Sequence, residues 1–123
     1  MLRLSTSATV IVKNATQREI LLGFWKVHIL HHAGREPVHG QWMLNELRRH
    51  GYELSPGTLY PLLRRMERLG WLKAKPERDG GRRARRDYLL TSEGRRVLAL
   101  VREQIEELHE EVVREAVPAP PRD

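Results

Sequence analysis

The side chains of this sequence that could act on another molecule are arginines, histidines and a few hydroxyls, and their spacing separates two chemistries. Arg64, Arg65 and Arg68 lie close together, and Arg82, Arg83 and Arg85 crowd behind Gly80 and Gly81. Clustered guanidinium groups bind phosphates, and one that reaches a DNA groove can hold a guanine through two parallel hydrogen bonds. His28, His31 and His32 stand at i, i+3 and i+4, a spacing that could turn two imidazoles toward one metal ion. Glu19 or Glu36 would add oxygen, and no other segment offers an obvious fourth ligand. Read plainly, these histidines are partly exposed polar residues near a helix end. Nothing here builds a nucleophile. Cysteine is absent, and so are a phosphate-cradling glycine loop, a nucleophile elbow and an HExxH helix. The carboxylates fall mostly among arginines or on the last helix, so an enzyme is not expected.

The charge distribution favours the first chemistry. The 123 residues carry a net charge of +6. Twelve Lys/Arg against five Asp/Glu lie between Arg64 and Arg96, so that third of the chain holds all the positive excess. Such a surface concentrates polyanions and binds phosphate backbones in a salt-dependent way. After Arg96 the balance turns acidic, with three basic residues against seven acidic ones. No apolar run approaches the roughly 20 residues that span a bilayer, and the start lacks the apolar core of a signal peptide. With no cysteine, a cytoplasmic location is expected.

These groups must be positioned by regular elements. Thr16 to Glu19 matches a capping box that opens a first helix. Ile20, Leu21, Phe24, Trp25, Val27, Ile29 and Leu30 cover most of that helix's circumference, so it must be buried on more than one side. In so short a chain the second cover can come from another copy. A second helix is predicted from about Val38 to His50, ending at Gly51. Ser55 as N-cap and Pro56 at the first position open a third. Its buried face is Leu59, Leu62, Leu63, Met66 and Leu69, and its opposite face holds Gly57, Pro61, Arg64 and Arg68, flanked by Thr58, Tyr60 and Arg65. Two helices joined by a short glycine turn make a helix-turn-helix. Trp71 to Lys75 and Arg86 to Thr91 alternate like strands around the arginine-rich loop, a hairpin that reads as a wing. Thr91 or Ser92 caps a last helix with Leu98, Val101, Ile105, Leu108 and Val112 spaced three, four, three, four, a coiled-coil seam.

The expected fold is mainly α with a two-stranded β-hairpin, a winged helix-turn-helix plus a C-terminal dimerisation helix. Residues 1–13 form a flexible extension, 14–91 the DNA-binding domain, 92–117 the dimerisation helix and 118–123 a proline-rich tail. Ser55 and the free N–H groups of the third helix suit phosphate contacts. Arg64 is the first candidate for reading a base. Arg82, Arg83, Arg85 and Arg86 would reach a neighbouring minor groove or its phosphates. Trp42 and Trp71 are expected in the core.

Three segments resemble the PadR family of bacterial transcriptional regulators: Val38-His39-Gly40, the run Gly51-Tyr52-Glu53-Leu54-Ser55-Pro56-Gly57-Thr58-Leu59-Tyr60-Pro61-Leu62-Leu63, and Gly80 to Arg83 through Tyr88 with Leu90 to Arg96. They occur in order, and the resemblance, from Ile20 to about Val113, covers three quarters of the chain. It implies a homodimer whose last helix packs against the partner's first, with Ile20, Leu21, Leu98, Val101, Ile105, Leu108 and Val112 at the contact. It implies Thr58 and Tyr60 in the recognition segment, and repression as the usual mode. It also suggests a flat apolar or phenolic effector between Phe24, Trp25 and Val101, against which stands the simpler reading of Trp25 as core. Rival readings are a coiled-coil interaction module with an incidental basic face, and a metal-responsive regulator using His28, His31 and His32.

Overall fold

The protein is described by a computed structural model covering residues 14–75 and 86–115. The first helix is already under way at Asn14. It passes through a widened π-type turn, Gln17–Leu21, and continues as α1, Leu22–Ala33. The capping box does not form. Thr16 is itself helical and makes no side-chain cap bond, because the chain before it has already entered the helix. Trp25, Ile29, Leu30 and Ala33 bury one face of α1, while Ile20 and Phe24 on other faces remain exposed.

The helix expected from Val38 starts later. Val38–His39 is a short strand, β1, and α2 runs Gly40–Arg49. Val38 is β-branched and pairs with Tyr88, which holds the backbone after Pro37 extended. His39 then stays extended, and its imidazole Nδ1 accepts the Trp42 N–H as the cap of α2. The sheet therefore has three strands, not two, in the order β1-β3-β2. β2 is Leu72–Ala74 and β3 is Asp87–Leu90. Both pairings are antiparallel, with Val38 opposite Tyr88 and Leu72 opposite Leu90.

Helix α3, Pro56–Arg68, follows α2 across a tight turn. Gly51 closes α2 at φ 94°, a left-handed conformation that suits glycine, and Tyr52 N–H returns to the Leu47 carbonyl. Arg48 then grips the turn, donating from Nε and Nη2 to the Leu54 carbonyl at 3.2 and 3.1 Å. Gly70 repeats the device after α3 at φ 84°. Ile29, Met43, Leu44, Leu47, Leu59, Leu63, Met66 and Leu72 fill one core shared by α1, α2, α3 and the sheet.

Helix α4, Ser92–His109, leaves the sheet through a polar joint. Thr91 Oγ1 donates to the Gly70 carbonyl and accepts the Gly94 N–H at 2.9 Å. Its first turns pack on the core through Leu98 and Val97. Leu98 is buried, Val101 half-buried, and from Ile105 onward the apolar side chains face outward through a final π-type turn, Glu110–Arg114. Among the described residues no helix is long and apolar enough to cross a membrane.

Candidate nucleic-acid interface

The core fixes what α3 presents. Leu59, Leu62, Leu63 and Met66 are buried, which turns Gly57, Tyr60, Pro61, Arg64, Arg65 and Arg68 outward and leaves Thr58 half-exposed. None of the three arginines forms an ion pair with another described residue. A convex helix with unpaired guanidinium groups along one side matches the width of a B-DNA major groove. Leu69, assigned to the buried face, is exposed because it caps the helix where the chain turns at Gly70.

The start of α3 departs from expectation in detail. Ser55 occupies the cap position in extended conformation, yet its side chain makes no cap hydrogen bond. The Ser55 carbonyl takes the N–H groups of Thr58 and Leu59, and the hydroxyls of Ser55 and Thr58 lie 3.4 Å apart. Both hydroxyls thus sit at the helix N-terminus, where the macrodipole favours an anion.

Tyr60 is set by a contact that spacing alone does not give. Its ring lies so close to Gly40 that a Cβ added there would stand 2.2 Å from Cε1. Gly40, at the first position of α2, is therefore the seat of the Tyr60 ring. The only sequence signal was its place in the Val38-His39-Gly40 segment.

At the base of the wing, Arg86 Nη1 lies 3.5 Å from Glu67 Oε1, tying β3 to α3. That partnership sets it apart from the three free arginines of α3. Arg82, Arg83 and Arg85 lie outside the described residues, as do the N-terminal extension and the proline-rich tail.

The proposed effector residues separate. Phe24 and Val101 line an open apolar groove of about 890 Å³ between α1 and α4, together with Gly23, Val27, Trp71, Val97, Ile105, Leu108 and Val112. Trp25 does not line it. It is 1% exposed and packs edge-on against Tyr52 at 6.0 Å, so the core reading of this residue is correct. Trp42, expected in the core, is instead exposed and meets His32 edge-on at 5.2 Å. Trp71 is half-buried at the groove wall. Of the residues expected at a dimer contact, Leu98 is buried in the core and Leu21 packs partly against it. Ile20, Ile105, Leu108 and Val112 remain exposed.

The histidines also regroup. His28 and His32 converge with His50 from the end of α2, whereas His31 stands outside that group, its ring edge-on to His32 at 4.9 Å. His50 follows His32 by 18 positions on another helix, so no periodicity could have paired them.

Residues 29–100 match the model of the Transcriptional regulator PadR-like family. Transcriptional regulator Rv3488 of Mycobacterium tuberculosis is 48% identical over 96 residues, which cover 78% of this chain and 89% of that protein. Among solved structures, a PadR family transcriptional regulator from Eggerthella lenta superposes with a TM-score of 0.65 at 31% identity, covering 93% of both chains. A PadR-like transcriptional regulator from Bacillus cereus gives 0.67 at 23% identity over 85% of this chain and 99% of its own, a likeness of fold.

Proposed function

This chain belongs to the PadR-like family of transcriptional regulators, and on that premise we propose that it is a cytoplasmic homodimeric repressor that reads duplex DNA with α3. Regulation of transcription, not catalysis, is the business of the family and of its relatives. In the proposed complex, two copies of α3 enter major grooves about one helical turn apart, roughly 34 Å. Arg64 approaches a base edge, Arg65 and Arg68 hold phosphates, and Ser55, Thr58 and Tyr60 anchor the helix start. The wing arginines 82, 83 and 85 lie along the adjacent backbone or minor groove.

The observation that carries this reading is the free, outward row of Arg64, Arg65 and Arg68 on a helix whose opposite face is locked into the core. The rival coiled-coil module explains the acidic last helix but gives those arginines nothing to do. Selection of binding sites from random duplex DNA tests the two. A recovered motif with two-fold symmetry is expected, whereas retention without sequence preference sinks the repressor reading.

Two substitutions sharpen the test. Replacing Arg82 and Arg83 together with alanine should weaken binding to all sequences and flatten the salt dependence by about one to two units, since each phosphate contact releases a counterion. Unchanged affinity at low and moderate salt would remove the wing from the interface. Gly40→Ala should displace the Tyr60 ring and lower operator affinity about tenfold, the worth of one contact of ~1.4 kcal/mol. Melting should change little, because the displaced ring is already exposed. Fluorescence anisotropy beside a thermal melt distinguishes the two effects.

The partner subunit is proposed to cover the groove between α1 and α4, placing Ile20, Phe24, Ile105, Leu108 and Val112 against their counterparts. The cavity this leaves beside Phe24, Val101 and Trp71 is the proposed seat of a flat apolar or aromatic effector that relieves repression. Quenching of tryptophan fluorescence by a planar aromatic compound, lost on Val101→Phe, is the expected sign, and quenching by none of a broad panel would remove the effector from this groove. Trp71 is the reporter at this wall.

A further inference from the structure

His28, His32 and His50 each offer a ring nitrogen, and the three nitrogens lie within 4.8 Å of one another. Two come from successive turns of α1 and one from His50, directly after the last residue of α2. Glu46, one turn earlier on α2, brings an oxygen into the same space. Its Oε1 stands 3.1 Å from His50 Nε2 and 3.8 Å from His32 Nε2. We propose that these four side chains form a binding site for one late first-row divalent metal ion, of the zinc, nickel or cobalt class, clamping α1 to α2.

Several features of the surroundings fit this role. Imidazole-rich sites select such ions over magnesium or calcium, which prefer oxygen. In a tetrahedral zinc site, bonds of about 2.0–2.1 Å put ligand atoms roughly 3.3 Å apart. The imidazoles need only close by about 1.5 Å, and His50, exposed at a helix end with its ring 5.1 Å from that of His28, already lies against the site. Burial, and then the neighbouring imidazoles, hold His28 and His32 below the ordinary histidine pKa. Their rings are therefore neutral near pH 7, with lone pairs available. Arg49 fixes Glu46 as a carboxylate by donating from Nε and Nη2 to its two oxygens, and the Tyr52 hydroxyl, 3.4 Å from His28 Nε2, steadies that ring. His31, named with His28 and His32 on spacing alone, is not part of the set.

The test uses the full chain, free of any affinity tag and stripped with a chelator, in the absence of DNA. Calorimetric titration with Zn2+ is expected to show one ion per chain. A hundredfold excess over the dissociation constant should raise the melting temperature by roughly 10 °C. Co2+ in its place should show the visible absorption bands of a four-coordinate ion, and Mg2+ should do neither. His50→Gln, at an exposed position that the fold tolerates, should weaken Zn2+ by more than the roughly 10–100-fold that loss of an outer partner costs. His31→Gln and His39→Gln should leave the affinity unchanged. Absence of saturable one-to-one binding, or equal weakening by His31→Gln and His50→Gln, overturns the site. Because no DNA enters the measurement, its failure leaves the repressor reading standing, and failure of that reading leaves the site standing.

Discussion

On the proposed homodimer, a chain carrying Ile105→Glu and Leu108→Glu is expected to be a folded monomer that has lost about 10²–10⁴-fold of its affinity for a two-fold symmetric operator. Both side chains are about half exposed in the single chain, at 44% and 53%, so its core does not depend on them. Covering an Ile or a Leu contributes ~1.5–3 kcal/mol, and a symmetric contact loses each of them twice. The new carboxylates would also join Glu103, Glu106, Glu107, Glu110 and Glu111 on an already acidic helix, so the pairing would face like-charge repulsion as well as lost apolar contact. The loss at the operator follows from linkage. When two reading heads are joined, the second binds at an effective concentration near millimolar, and separation forfeits that factor. Sedimentation equilibrium and anisotropy on the same sample check both halves of the statement. A variant that stays dimeric would move the contact elsewhere on the protein.

Gly94→Ala is expected to be the most damaging glycine-to-alanine change among the described residues. A Cβ at this position would lie 2.3 Å from the Trp71 carbonyl oxygen and 2.5 Å from Leu90 Cδ1. The first of these is backbone, held by the Thr91 N–H at 3.0 Å, so it cannot swing aside. Relief requires α4 to move off the sheet, which would disturb the Thr91 joint and the buried Leu98. Overpacking of this kind costs ~1–3 kcal/mol and more when backbone must shift. In a domain of this size ~3 kcal/mol lowers the melting temperature by roughly 12–20 °C. Gly57→Ala is the comparison, since its methyl would meet only Ser55 Oγ at 3.6 Å, an ordinary contact. Thermal melts that place the two variants within a few degrees of each other would refute the account of the α4 joint.

The parts of the fold that were legible in the sequence are those where one local signal dominates. The buried face of α3 follows from Leu59, Leu62, Leu63 and Met66 at helical spacing. Pro56 and Gly51 marked its start and the end of the preceding helix, because a fixed φ and a positive φ are properties of single residues. The parts misread are those where two weak signals competed. Thr16 and Glu19 suit a capping box, but the residues before them were already helical. Val38 and His39 lie too close to a helix start to be recognised as a strand, and only their pairing with Tyr88 and Asp87 makes them one.

The sequence by itself determined the order of the helices, the hairpin after the third of them and that third helix's basic face, though not the first strand. Each of these depends on residue types within a few positions of one another, where periodicity, caps and charge are local. Tertiary structure alone decided that Trp25 belongs to the core and Trp42 to the surface, that Gly40 carries the Tyr60 ring, and that His50 replaces His31 beside His28 and His32. Those outcomes turn on how two helices cross. A crossing is settled by the packing of the whole core at once, and it leaves no mark on the spacing of any one segment.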